Sequence, residues 1–229
     1  MFFSIYKITQ RGDEIQISYN LTKLEREEGN LRFYAAGGDG TLNEVVNGIK
    51  GYDNASVGVL PYGTGNDFVI SFDNIDFFDL MGQVMGKSVK VDLLRVKDTS
   101  YINICNIGFD AKVASNVNKF KKLSFISGGT AYTLALFYSL VHRMHQNFEI
   151  LLDNKEVIKG KFLLCTFSNG VSYGGGYNAA PLAKVNYGLI DVCIVKKVSR
   201  FKLVKLLGLY KNGKHLDNEE ISRYIIYKK

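Results

Sequence analysis

A chain of 229 residues, 46% hydrophobic and 22% charged, has room for one large domain or two small ones and is too apolar to be disordered. Its 2 prolines exclude Pro-rich linkers, and three widely spaced cysteines (Cys105, Cys165, Cys193) exclude a disulfide framework or a zinc ribbon and suit a reducing cytoplasm. The net charge of +7 lies wholly after residue 195, where ten Lys/Arg stand against three Asp/Glu, a pattern that fits an anionic membrane surface, a nucleic acid or simply a solvated helix and strand.

Met1-Phe2-Phe3 opens apolar, but Lys7, Arg11, Asp13 and Glu14 follow too soon for the core of a signal peptide. Residues 31–36 read as a buried strand, Gly37-Gly38-Asp39-Gly40 as a turn, and 41–48 as a helix with Gly48 near its C-terminus. Residues 57–60 form a second strand that runs into Gly63-Thr64-Gly65-Asn66-Asp67, and 76–86 form a further helix. Strands alternating with helices across short Gly loops predict a parallel α/β sheet. From residue 90 the texture changes to short β-rich runs at 91–96, 101–106, 148–152, 162–168 and 189–195, punctuated by Gly and Asn as in antiparallel sheets. The fold class is therefore α/β plus β. An N-terminal α/β domain spans residues 1–87, and a β-rich domain of antiparallel strands spans 88–229.

Residues 123–141 carry no charge over 19 positions, near the length of a membrane span. Seven are Ser, Thr or Gly, with Gly128-Gly129 inside, which argues against a span. Lys119, Lys121 and Lys122 precede the segment; His142, Arg143 and His145 follow it. Tyr132, Leu136, Ser139, Leu140 and Arg143 recur at helical spacing, so the segment reads as a helix buried on one side.

A strand that ends in Gly-Gly-Asp-Gly-Thr and opens a helix is suited to phosphate. The glycines let the backbone approach an anion, and the helix-terminal N–H groups point at it. Asp39 adds a carboxylate that can engage Mg²⁺ or orient a hydroxyl. In a parallel sheet the loop at Gly63–Asp67 would face the same crevice. It brings more amide donors, the Thr64 hydroxyl and the carboxylate of Asp67.

Gly37-Gly38-Asp39-Gly40-Thr41-Leu42-Asn43-Glu44-Val45-Val46-Asn47-Gly48 together with Pro61-Tyr62-Gly63-Thr64-Gly65-Asn66-Asp67-Phe68 resembles the diacylglycerol kinase catalytic-domain family, which includes soluble bacterial lipid kinases and is related to sphingosine kinases. Val91-Asp92-Leu93, Asn106-Ile107-Gly108-Phe109-Asp110, Asn169-Gly170 with Gly174-Gly175-Gly176, and Gly213-Lys214-His215 look like its later landmarks, so the resemblance covers about residues 15 to 229. It implies a two-domain kinase that takes ATP and Mg²⁺ into the cleft between its domains. By position, Gly37, Gly38, Asp39, Gly40, Thr41, Leu42, Asn43 and Glu44 would wrap the phosphates, with Gly63, Thr64, Gly65, Asn66 and Thr22 contributing to the nucleotide site. Asp39, Asp67 and Asp92 match aspartates of a catalytic Mg²⁺ and water network. The family's separate metal loop falls on Lys184, Tyr187 and Leu189.

The sequence departs from the family pattern at three places. It contains no Asn-Pro-x-Ser-Gly phosphate loop and no Asp-Gly-Glu, whose glutamate is the family's proposed general base, so it reads as trimmed at both ends. Tyr187 stands where the metal loop has a carboxylate, which predicts weak cation binding that Tyr187→Asp would strengthen. The expected function is phosphorylation of diacylglycerol to phosphatidate by a cytoplasmic enzyme at the inner, anionic face of a membrane, with no nucleic-acid partner and with monomer or homodimer left open. The alternatives are a catalytically impaired nucleotide-binding version of the same fold and an NAD kinase-like enzyme. Asp39, at the tip of a Gly turn, is expected to matter to activity and little to folding.

Overall fold

The computed structural model describes residues 4–24, 30–121, 134–136, 138–140, 142, 144–153 and 156–227. The first half is built on two parallel strands, β1 (Leu31–Gly37) and β2 (Ala55–Pro61), in register from Leu31 opposite Ala55 to Gly37 opposite Pro61. Helix α2 (Asp39–Ile49) connects them. Its Leu42, Val45, Val46 and Ile49 recur at helical spacing and are buried, the first three in one cluster with Ala35, Val59 and Phe68. Helix α1 (Asp13–Leu24) crosses α2 closely. A Cβ at Gly48 would stand 1.8 Å from the Ser18 hydroxyl. Gly48 thus lies near the end of α2, as the sequence suggested, and also serves a helix crossing.

Beyond β2 come a 3₁₀ turn (Phe68–Ser71) and α3 (Leu80–Met85), capped by Asp79, whose carboxylate accepts the Gly82 N–H. The helix is four residues shorter at its start than the 76–86 reading. A short antiparallel hairpin, β3 (Leu94–Val96) and β4 (Thr99–Tyr101), follows. Asn47 of α2 holds β4 as a strand neighbour would, accepting from Ser100 N–H at 3.0 Å and donating to Ser100 C=O at 2.7 Å.

The second half is an antiparallel sheet organised by one long strand, β7 (Glu156–Ser168). Strands β5 (Ile104–Gly108) and β6 (Gln146–Leu152) share one edge of β7. On the other edge β8 (Leu189–Lys196) pairs with β7 and β9 (Ile221–Tyr227) with β8. Helices α4 (Phe109–Lys121) and α5 (Arg200–Lys211) and the helical residues 134–136 and 138–140 cover one face. There Val113, Leu136, Leu140, Leu203 and Leu206 pack with Leu164, Cys193 and Val195 in one core. A register shift at Leu163 puts Leu163 and Leu164 into this same core. Phe162, Cys165, Val192 and Ile194 form the core of the opposite face.

Leu136, Ser139 and Leu140 are buried as their helical spacing predicted; Met1-Phe2-Phe3, Lys122, Gly128-Gly129, Tyr132 and Arg143 lie outside the described residues. Among the described residues no helix is long and apolar enough to cross a membrane. The two halves share a core, since Ile102 and Val185 pack into the cluster of the first half.

Candidate active site

The parallel register of β1 and β2 brings their C-terminal loops side by side. Gly63 N–H donates to Gly37 C=O at 3.1 Å, and a Cβ on Gly63 would stand 2.3 Å from the Gly38 Cα. That approach allows no side chain at Gly63 and crowds one at Gly38, whose Cβ would stand 3.2 Å from the Gly63 Cα. Asp39, in the first turn of α2, spans the gap: its carboxylate accepts the N–H groups of Asp67 at 3.0 Å and Phe68 at 2.9 Å, capping the 3₁₀ turn. Asp39 is therefore a strut between the loops as well as a carboxylate of the crevice, which sets its two hydrogen bonds against the expectation that folding gains little from it.

Helix α2 has Gly38 at its N-cap and no side-chain cap. Its first-turn N–H groups are those a phosphate would satisfy. A Cβ built on Gly40 meets nothing within 4 Å, so the backbone there borders open space. Around Gly65 two carboxylates converge, because its Cβ would lie 3.0 Å from Asp67 Oδ2 and 3.3 Å from Asp39 Oδ2.

Asp67 is buried and faces the second half of the chain. Its carboxylate accepts from Gly175 N–H at 2.8 Å, Gly176 N–H at 2.7 Å and the Ser172 hydroxyl at 3.1 Å. The turn it grips has Gly174, Gly175 and Gly176 all at positive φ, which few other residues adopt. Tyr173, from the same turn, donates its hydroxyl to the Asp110 carboxylate.

Asp110 lies in the first turn of α4, reached directly from β5 through Gly108 at φ +107°. A Cβ at Gly108 would collide with Leu163 C=O at 2.5 Å. The Asp110 carboxyl borders an apolar cavity lined by Phe109, Tyr177, Val195, Leu206, Leu207 and Tyr210. Burial pushes its pKa up to about 6, against the hydrogen bond from Tyr173, which lowers it. Burial and the nearby Asp110 also raise the Tyr177 phenol. Neither the cavity nor the Asp67 partners were read as site residues from sequence, although Asp110 and the three glycines lie in motifs already noted there.

Several residues assigned to nucleotide or metal are turned to other work. Thr22 sits within α1, fully buried, and donates to Ser18 C=O. Leu42 is a core side chain. Asn43 accepts the Ile102 N–H at 3.1 Å. Glu44 reaches back to Gly12 N–H at 2.7 Å and to Arg11 at 3.7 Å, fixing the start of α1. Asn66, at φ +54°, staples its own turn through Gly63 N–H, Pro61 C=O and Gly63 C=O. Thr41 folds over Gly37, and Thr64 is exposed at the loop tip.

Asp92 accepts Gly188 N–H at 2.7 Å and holds the 185–188 loop in place. In that loop the Tyr187 hydroxyl donates to Asp191, which Arg223 also engages, through Nε at 2.7 Å. Lys184 is exposed, and Leu189 opens β8 opposite Tyr227. Tyr187 is thus a donor to a buried carboxylate, and no side-chain carboxylate stands at its position in the loop where the resemblance put a metal. Among the described residues no group of three His, Cys, Asp or Glu side chains is placed to hold a metal.

Comparison with known proteins addresses the family and the fold. Residues 2–96 match the model of the diacylglycerol kinase catalytic domain, and residues 103–225 match that of the YegS C-terminal NAD kinase beta sandwich-like domain. The chain is 32% identical over 191 residues to the diacylglycerol kinase of Bacillus subtilis, covering 82% of this chain and 62% of that protein. It is 30% identical over 205 residues to the diacylglycerol kinase of Mycobacterium tuberculosis, covering 85% and 64%. Over 191 residues it is 30% identical to a probable lipid kinase YegS of Escherichia coli, covering 81% and 62%. It spans under two thirds of the length of these relatives. The crystal structure of a diacylglycerol kinase from Bacillus anthracis superimposes with a TM-score of 0.63 at 20% identity, over 96% of this chain and 70% of that one, so the fold is shared. The chain belongs to the diacylglycerol kinase catalytic-domain family, with the YegS-like lipid kinases among its relatives.

Proposed function

We propose that this chain is an ATP-dependent lipid kinase that transfers a phosphoryl group to the hydroxyl of diacylglycerol, giving phosphatidate. The observation that carries the reading is the paired glycine loops, which the Asp39 carboxylate fastens together beside an uncapped helix N-terminus. Phosphoryl transfer needs alignment and neutralisation of charge more than it needs covalent chemistry. The N–H groups of α2 and the open backbone at Gly40 would seat the ATP phosphates, and Asp39 and Asp67 would hold Mg²⁺ against them. When bound, Mg²⁺ supplies positive charge against the phosphates. The Ser172–Tyr177 turn joins the buried Asp110 carboxyl to Asp67 through Tyr173 and Ser172. The enzyme would work in the cytoplasm, on the inner face of a membrane.

A second reading is favoured by Tyr187: with its phenol bound to Asp191, the family's metal loop has no carboxylate to offer, and the chain would bind nucleotide without turning it over. Incubation with radiolabelled ATP, Mg²⁺ and diacylglycerol in mixed micelles separates the readings. Labelled phosphatidate supports the kinase. ATP binding by calorimetry without any labelled lipid supports the impaired version, and label transferred to NAD would replace both by an NAD kinase.

A further inference from the structure

Helix α5 has two unlike faces. Leu203, Leu206, Leu207 and Tyr210 line the cavity that holds Asp110. The opposite face presents Phe201, 92% exposed, and Val204, 59% exposed, one turn apart, with Gly208 beyond them open to solvent. An aromatic ring so bare in a soluble helix contributes nothing to the fold. Two free cations accompany it in sequence: Lys197 in the approach to α5 and Lys205 beside Val204 are exposed and have no ion pair among the described residues.

The structure narrows the basic set that the sequence suggested. Lys202 pairs with Glu220 at 2.7 Å and with Glu219 at 3.7 Å, Arg200 donates Nε to Leu140 C=O at 2.8 Å, and Lys196 reaches Glu219 C=O. Exposed apolar tips accompanied by cations on a helix are the chemistry of a surface that dips into an anionic bilayer.

We propose that α5 docks this chain on anionic lipid bilayers, inserting Phe201 and Val204 while Lys197 and Lys205 meet the headgroups. The docking goes beyond the lipid-kinase reading and does not depend on ATP.

The test is co-sedimentation of the full chain with vesicles of phosphatidylglycerol or of phosphatidylcholine, at low and high salt. Binding is expected to phosphatidylglycerol alone and to weaken with salt. It should fall about fivefold or more in a Phe201→Ser, Val204→Ser variant and by a similar factor in a Lys197→Gln, Lys205→Gln variant. Melting curves show whether each variant is folded, as exposed positions predict. Equal binding to both lipids, undiminished binding of the folded variants, or a solution dimer that Phe201→Ser dissolves while vesicles are ignored would each overturn the proposal. So would binding to a DNA oligonucleotide in place of vesicles. Turnover of a short-chain diacylglycerol in detergent, unchanged in these variants, separates docking from catalysis. If no lipid is phosphorylated in detergent, the kinase reading fails while the vesicle result still decides the docking.

Discussion

The carboxylate of Asp39, in the first turn of α2, accepts the backbone N–H of Phe68 across the crevice between the two glycine loops, at 2.9 Å. The same group accepts the N–H of Asp67, so a single side chain near the tip of one loop fixes the other. Asp39→Ala should remove any kinase activity, by 10²-fold or more if the carboxylate positions metal and phosphate. It should also destabilise the fold by about 1–3 kcal/mol, because two N–H groups lose their acceptor. Asp39→Asn keeps one acceptor oxygen and should melt between the wild type and the alanine variant while staying equally inactive. Melting curves set beside turnover check this; an alanine variant that melts like the wild type would show that the strut contributes nothing.

Asp67 ties the first half of the chain to the second through three donors, Ser172, Gly175 and Gly176. Removing a buried carboxylate that satisfies three donors leaves them without a partner, at about 1–3 kcal/mol for each group that water cannot reach. Asp67→Ala should therefore loosen the Ser172–Tyr177 turn before the sheet behind it melts. Hydrogen exchange should show faster amides at Gly175 and Gly176 in the variant, with β7 and β8 unchanged. Unchanged protection at both glycines would mean that the turn is held by its own geometry.

The sequence made the parallel pair, the antiparallel second half and both glycine loops legible, because each depends on local signals: apolar runs of strand length, and glycines where backbones meet. It failed where a residue's partner lies far along the chain. Nothing near Asn43 or Glu44 shows that they serve Ile102 and Gly12, and nothing near Asp67 announces Gly175 and Gly176, more than a hundred residues on. Thr22 was misplaced because the pattern around it does not distinguish a strand end from α1, whose Ser18 and Thr22 bury their hydroxyls by bonding back to the preceding turn. The Asp110 cavity was hidden for a similar reason, since its walls come from α4, β7, β8 and α5.

Asp110 gives the protein a particular pH dependence. Its folded pKa of about 6 lies above the ordinary carboxyl value of 3.8, so between those values the folded state holds the proton more tightly than the unfolded chain. Stability from this group is fully present below about pH 4 and falls as pH rises through 6, by about 3 kcal/mol in all. Asp110→Asn should cancel that fall, giving a variant more stable than the wild type at pH 8 and no more stable at pH 4. Denaturant midpoints at the two pH values measure it. A pH-independent difference between the two proteins would place the ionised carboxylate in a solvated setting.

Tyr187 sits where a metal-binding carboxylate was anticipated, and its hydroxyl instead serves Asp191 beside Arg223. Tyr187→Phe removes one donor from a buried carboxylate and should lower stability by about 1–3 kcal/mol. Tyr187→Asp should do worse in the absence of metal, since it sets a second negative charge next to Asp191. Mg²⁺ up to millimolar levels should leave the melting temperature of the Tyr187→Phe variant where it was. A clear upward shift there would restore the loop as a cation site.

The two kinds of glycine in the crevice can be told apart by one added methyl group. At Gly63 a Cβ would stand 2.3 Å from the Gly38 Cα and 2.9 Å from its nitrogen, and both neighbours are backbone that cannot swing aside. Gly63→Ala should therefore force the loops apart and lower the melting temperature sharply, whatever ligand is present. At Gly40 a Cβ meets nothing within 4 Å, and the residue lies in the first turn of α2, where alanine is the better helix former by up to about 1 kcal/mol. Gly40→Ala should melt at or slightly above the wild-type temperature. If phosphates lie against that backbone, the methyl group occupies their approach, and ATP affinity should fall by about tenfold or more. Calorimetric titration with ATP next to a melting curve separates stability from binding. A Gly40→Ala variant that binds ATP as the wild type does would move the phosphates away from the start of α2.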